Sequence, residues 1–129
     1  LLGRVGLSGH AHQKPGTLSG GMRQRIALAR TLFENRPVVL LDEPFSALDA
    51  ATRAEMQELA ADVLQGRTVV LVTHDPGEAA RLAHQILVMS AGKTRSWPVP
   101  DSVPVRQIHA PETIICQARL LDHLRKATL

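Results

Sequence analysis

The stretch that decides the fold is VVLLDEP (38–44), in which four aliphatic residues run directly into two carboxylates. Short uninterrupted aliphatic runs of this kind are typical of a strand in a parallel sheet that is covered on both faces. A second such run, TVVLVT (68–73), ends in His74 and Asp75. We therefore predict two buried strands, each followed by polar side chains.

Helical segments separate these strands. Apolar residues recur at helical spacing over 20–34, where the predicted buried stripe is Met22, Ile26, Ala29 and Phe33. We predict further helices over 50–65 and 76–83, and a third strand over 85–90. Strands that alternate with helices in this way predict an α/β domain with a parallel sheet and flanking helices.

The last part of the chain has a different character. Residues 1–92 carry nine basic and nine acidic side chains, whereas residues 93–129 carry six basic and three acidic ones, so the net charge of +3 belongs to the tail. We predict that 93–129 is a proline-rich linker followed by an amphipathic helix over 111–127. The predicted apolar stripe of that helix is Ile114, Ala118, Leu121 and Leu124.

Composition excludes several classes of protein. A chain of 129 residues with 44% hydrophobic residues forms one domain at most, and its three aromatic residues argue against a protein that stacks nucleic-acid bases. Cys116 is the single cysteine, so no internal disulfide is possible, and we predict a small core residue. The chain begins with Leu rather than Met, which we interpret as a sign of a fragment.

The carboxylates of the first strand predict a catalytic site. Ligands of open α/β sheets lie at the carboxyl ends of the strands, and Asp42 there is suited to hold Mg²⁺ directly or through water. If the strand pleat continues, Glu43 points the opposite way and can accept a proton from an attacking water. Two solvent-exposed carboxylates without a function are the alternative.

The segment LSGGMRQR (18–25) predicts a phosphate site. Ser19 stands at the N-cap of the predicted helix, and two glycines follow it. Exposed N–H groups, no Cβ obstruction and the positive end of the helix dipole favour an anion there. An ordinary capped helix start remains the alternative.

Four motifs occur together in one order: LSGGMRQR (18–25), VVLLDEP (38–44), SALD (46–49) and TH (73–74). This set resembles the second half of an ABC transporter ATPase, with its signature, Walker B strand, D-loop and switch histidine. The resemblance covers about residues 1–92. It implies part of a P-loop NTPase-like fold that lacks the N-terminal half with the phosphate loop.

The resemblance implies a role for each matching residue. Asp42 would help to hold Mg²⁺, Glu43 would be the general base, and His74 would contact the γ-phosphate. Asp49 would lie at a dimer interface and link two sites. The residues that would clasp the ATP held by the opposite subunit are Leu18, Ser19, Gly20, Gly21 and Met22; many relatives have Gln in place of Met22.

The family's phosphate loop, G-x-x-x-x-G-K-[ST], is absent from the 129 residues. The nearest string, GKT (92–94), fails because Leu87 occupies the place of the first glycine and the residues after it do not start a helix. We therefore expect this chain to carry one half of a composite ATP site. By itself it is predicted not to hydrolyse ATP.

The resemblance also implies partners and a location. The partners are a second ATPase subunit in a head-to-tail dimer, transmembrane permease subunits and a periplasmic or extracellular substrate-binding protein, and they include no nucleic acid. The location of the ATPase subunit is the cytoplasmic face of the membrane. The motifs are similar to those of nitrate, sulfonate and taurine importers and of importers of hydroxymethylpyrimidine, a thiamine precursor. A DNA-repair ATPase of the same superfamily and a non-catalytic interaction fragment remain alternatives. A metal site at His10 and His12 is disfavoured, because no further ligand lies nearby.

Overall fold

The computed structural model describes residues 20–127 and divides the chain into two compact units between Val72 and Thr73. The first unit contains the signature and the strand that ends in carboxylates. The second contains the switch histidine and the tail. Among the helices of the described part of the chain, no candidate for a membrane span is found.

The first unit alternates helices and strands in the order α1 (Gly20–Phe33), β1 (Val38–Asp42), α2 (Ala50–Val63) and β2 (Thr68–Val72). β1 and β2 pair in parallel, with Asp42 opposite Val72 at their carboxyl ends. Each element lies within two residues of its predicted position. The α/β class with parallel strands and flanking helices is therefore confirmed.

The two faces of this sheet differ in burial. Val39 and Leu41 are buried, whereas Val38 and Leu40 are 65% and 67% exposed, and Val70 of β2 is 51% exposed. The prediction that both faces are covered is wrong for the described residues. An aliphatic run establishes that a strand is apolar on both sides, but it does not establish that other residues cover both sides.

The buried face of α1 also differs from the predicted stripe. Leu28, Ala29 and Leu32 are buried, and Phe33 is 79% exposed. Of the predicted stripe only Ala29 is fully buried; Met22 and Ile26 are half-buried. Leu28 and Leu32 each precede a predicted residue by one position, and both are buried. The buried face of α1 is therefore rotated slightly from the predicted one, a difference that helical periodicity alone does not resolve.

The second unit contains α3 (Pro76–Leu82), β3 (Ile86–Ser90), β4 (Lys93–Trp97) and α4 (Pro111–Ala127). β3 pairs antiparallel with β4 and is not a third parallel strand. The predicted linker therefore begins with a strand, which is a correction. The cause is the turn Ala91–Gly92, whose residues both have positive φ, 50° and 76°, as in the two-residue turns that favour hairpins.

A small core lies between α3, the hairpin and α4, formed by Ala80, Ile86, Val88, Cys116 and Leu120. Burial of Cys116 confirms its predicted core role and raises the pKa of its thiol. Of the predicted stripe of α4, Leu124 packs against this core, but Ile114 and Leu121 are 49% and 45% exposed, so the prediction is wrong for those two residues. Thr113, Cys116 and Leu120 are also helically spaced, and they form the packed face instead.

A buried arginine joins α3 to the segment that follows the hairpin. Arg106 is 4% exposed, and its guanidinium donates to the carbonyls of Ala80 and Ala83 at the end of α3, at 3.0 and 2.8 Å. It also donates to the carbonyls of Pro100 and Ser102, at 3.0 and 2.9 Å. Burial lowers the pKa of Arg106, while the charge of Glu112 raises it. The cation therefore lies where the carbonyls of a helix C-terminus favour it.

Candidate functional site

The carboxyl end of β1 presents one exposed carboxylate. Asp42 is exposed and closes the parallel ladder opposite Val72, and its carboxylate has no hydrogen-bond or ion-pair partner among the residues the structure describes. An unpartnered carboxylate at this edge offers the hard oxygen ligands that Mg²⁺ prefers. Mg²⁺ sites commonly use one or two carboxylates together with phosphates, so this donor set fits the ion.

Glu43 does not continue the strand pleat. Its φ is +48°, in the left-handed region, so the expectation that it extends the pleat beyond Asp42 is wrong. Such a conformation costs a residue other than glycine about 1–3 kcal/mol and persists where surrounding contacts impose it. The Glu43 N–H donates to the carbonyl of Val72 at 2.8 Å, which fixes the residue to the end of β2. Strain at this position supports a functional role for the half-buried Glu43.

Gln24 is the residue of this site that sequence reasoning missed. Its side-chain Nε2 donates to the carbonyl of Glu43 at 2.9 Å and to the hydroxyl of Ser46 at 3.2 Å. Its Oε1 accepts from the backbone N–H of Ala47 at 2.7 Å. The available signal was its place in 18–25, one helical turn after Gly20, at the end of α1 that meets the loop after β1.

The N-terminus of α1 lies against the loop after β1. A Cβ added to Gly21 would come within 3.2 Å of the carbonyl oxygen of Ala47 and 3.5 Å of a Leu48 methyl, whereas a Cβ added to Gly20 would meet no atom of residues 20–127 within 4 Å. Met22 is half-buried. Leu18 and Ser19 lie outside the described residues. Gly21 thus allows close packing of α1 against the loop after β1.

Asp49 caps α2. Its Oδ1 accepts from the backbone N–H of Thr52 and its Oδ2 from the Thr52 hydroxyl, both at 2.9 Å. These bonds satisfy an N–H group that has no partner within the helix. Capping adds a structural role to a residue for which the motif resemblance implies only a place at an interface.

The same bonds predict a low pKa for Asp49. The backbone N–H of Thr52, followed by the Thr52 hydroxyl, holds the pKa of Asp49 below its ordinary value. Because the folded pKa is lower than the unfolded one, the stabilisation is present above the unfolded pKa and is lost as pH falls through the folded pKa. NMR titration of the carboxyl carbon measures the shift directly.

Thr52→Val tests this assignment, because it removes the hydroxyl donor and leaves the backbone N–H in place. We expect the Asp49 pKa to rise toward its ordinary value without reaching it. Thr31→Val is the matched control, because the Thr31 hydroxyl donates to the Ala27 carbonyl within α1. An Asp49 carboxyl that titrates at its ordinary pKa in the unmodified protein would contradict the prediction.

His74 belongs to the second unit and is exposed just after β2. The residues beside it form a defined turn: the Thr73 hydroxyl donates to Glu78 Oε2 at 3.1 Å and accepts from the Asp75 N–H at 3.0 Å. Asp75 caps α3 by accepting from the N–H groups of Gly77 and Glu78. The backbone that carries His74 is therefore fixed at both sides.

No cluster of three or more His, Cys, Asp or Glu side chains able to hold a metal occurs between residues 20 and 127. His10 and His12 lie outside the described residues. The candidate site in the first unit therefore consists of Asp42, Glu43, Gln24, the glycines of α1 and Asp49.

A family model described as "ABC transporter" matches residues 1–46. An uncharacterised ABC transporter ATP-binding protein of Haemophilus influenzae is 43% identical over 129 residues, which is 96% of this chain and 54% of the relative. An aliphatic sulfonates import ATP-binding protein of Rhodococcus jostii is 47% identical, over 98% of this chain and 53% of the relative. A thiamine import ATP-binding protein of Cereibacter sphaeroides is 48% identical, over 74% of this chain and 42% of the relative.

The solved structure of a metal-chelate type ABC transporter in an inward-facing conformation matches with a TM-score of 0.63 and 30% sequence identity. The match covers 92% of this chain and 46% of that chain. The chain spans about half the length of the curated relatives it matches. Similarity to two of these relatives covers 96% and 98% of the chain, so it extends beyond residue 92, the end of the region that the motif resemblance covers.

Proposed function

We propose that this chain, which is similar to ABC transporter ATP-binding proteins, forms the C-terminal part of an ATPase subunit that drives import. Residues 1–92 would contribute the signature, Walker B, D-loop and switch histidine, and residues 93–129 the tail. The observation that carries the proposal is the first unit's arrangement. Its strand ends in an exposed Asp42 and a conformationally restrained Glu43, which Gln24 ties to the start of α1.

The residues divide the chemistry of ATP hydrolysis between them. Asp42 would hold Mg²⁺, which neutralises phosphate charge when bound. Glu43 would orient the attacking water and accept its proton. His74 would donate a hydrogen bond to the γ-phosphate, which strengthens as negative charge develops in the transition state.

The open N-terminus of α1 supplies the phosphate contacts of a second subunit's site. The first turn contains no acidic residue, and a Cβ added to Gly20 would meet no described atom within 4 Å. Such a terminus favours the γ-phosphate of an ATP held elsewhere. We therefore propose a head-to-tail dimer in which Leu18 to Met22 of one subunit clasp the ATP held by the other.

The transported compound is proposed to be a small organic nutrient. The named relatives import thiamine and aliphatic sulfonates, and hydroxymethylpyrimidine, a thiamine precursor, is the first compound to test. The proposed partners are permease subunits, which place the ATPase at the cytoplasmic face of the membrane, and a substrate-binding protein outside it.

ATP turnover by the complete protein tests the proposed function. We expect Mg²⁺-dependent phosphate release when the complete subunit is assayed with its permease in vesicles, and faster release when transport substrate is supplied. A complete subunit that binds its permease and releases no phosphate from ATP would contradict the proposal.

A further inference from the structure

We propose that Gln24 is the positioning residue of the proposed general base, holding Glu43 in its left-handed conformation through the carbonyl of Glu43. This inference rests on the proposed ATPase function and adds a residue to it. Gln24 is not proposed to contact the reacting atoms. It acts on the backbone of a residue 19 positions away in the sequence.

Nearly all of the hydrogen-bonding capacity of the Gln24 amide is taken up by the loop after β1. Nε2 has two protons, and it donates to the Glu43 carbonyl at 2.9 Å and the Ser46 hydroxyl at 3.2 Å. Oε1 accepts from the Ala47 N–H at 2.7 Å, the shortest of the three bonds. A single side chain therefore contacts both ends of the loop from Glu43 to Ala47.

The carbonyl of Glu43 is the point where these bonds converge. It accepts from Gln24 Nε2, from the Ser46 hydroxyl at 3.2 Å and from the Ser46 N–H at 3.5 Å. On the other side of the residue, the Glu43 N–H donates to Val72 at 2.8 Å. Since φ is +48°, the backbone must be held on both sides for the conformation to persist.

The packing of α1 makes Gln24 a rigid support. Gly21, almost one turn before Gln24, lies so close to the loop that a Cβ there would be 3.2 Å from the Ala47 carbonyl oxygen. Leu28, one turn after Gln24, is 3% exposed. Gln24 thus projects from a helix that is packed on both sides of it, so its amide has little freedom to follow a displaced loop.

Two substitutions separate the contributions of the amide. Gln24→Leu removes donor and acceptor together. Gln24→Glu keeps an oxygen for the Ala47 N–H, but it removes the donor to Glu43 and brings a carboxylate toward a carbonyl oxygen. If Gln24 acts through Glu43, both variants lose activity, and only Gln24→Leu exposes the Ala47 N–H.

The experiment uses the complete protein and measures kcat and KM for ATP together with amide hydrogen exchange. We expect kcat to fall at least tenfold in both Gln24 variants, with KM within twofold of the unmodified protein. Exchange at Ala47 should be at least tenfold faster in Gln24→Leu alone. Gln65→Leu is the matched control, since Gln65 is exposed in the turn after α2 and its replacement should change neither quantity.

A double-mutant cycle tests whether Gln24 acts through Glu43. In the Glu43→Gln background, measured by single-turnover hydrolysis, Gln24→Leu should cause no further loss. A full additional loss there, an unchanged kcat in either single variant, or a change confined to KM would overturn the inference. No turnover in the unmodified protein would instead overturn the proposed ATPase function.

Discussion

Replacing Glu43 with glutamine is expected to lower kcat for ATP hydrolysis by roughly 10²–10⁴-fold, the range by which a positioned general base accelerates a reaction. Glutamine has nearly the same shape, so the backbone bonds of residue 43 to Val72, Gln24 and Ser46 remain possible. The carboxylate that is proposed to accept the proton of water is lost. Phosphate release by the complete protein measures the effect, and ATP affinity should change little.

Glu55→Gln is the matched control for this prediction. Glu55 is an exposed residue of α2, so the same loss of one negative charge there should leave kcat within twofold. Equal activity of Glu43→Gln and the unmodified protein would remove Glu43 from the reaction. Equal losses in both variants would attribute the effect to net charge.

Arg106→Leu is expected to destabilise the second unit by about 1–3 kcal/mol, the cost of leaving a buried hydrogen-bond acceptor without its partner. Four backbone carbonyls lose a charge-assisted hydrogen bond at once. Arg106→Lys should recover a small part of this energy, because one ammonium group does not match four acceptors in different directions.

Trp97 reports this unfolding locally. It is the single tryptophan of the chain and packs against the core of the second unit, so its fluorescence follows that unit during urea denaturation. Arg119→Leu, an exposed arginine of α4, should shift the free energy of unfolding by no more than about 0.5 kcal/mol. An Arg106→Leu variant with the same urea midpoint as the unmodified protein would contradict the structural role.

The element order was predictable from the sequence because local signals agree there. The aliphatic runs before Asp42 and His74 mark both parallel strands, and Asp75 followed by proline marks the start of α3. The position of Asp42 at the end of β1 follows from the same run. These features depend on residues that are neighbours in the chain, so one sequence suffices to find them.

The remaining features depend on contacts between distant residues. The proline-rich composition of the tail predicts a linker, but its first residues form β4 by pairing with β3. On α4, two sets of residues have helical spacing, and only the tertiary contacts decide which set is buried. The bond from Gln24 to the Glu43 carbonyl requires the packing of α1 against the loop after β1. The role of Arg106 requires four carbonyls from α3 and the segment after the hairpin.

We propose that these 129 residues carry one half of a composite ATP site. Phosphate release by the purified 129-residue chain, with the Glu43→Gln chain as background, tests this proposal. We predict no release above that background, because the chain contains no phosphate loop. Sustained release by the unmodified chain that Glu43→Gln abolishes would contradict the claim.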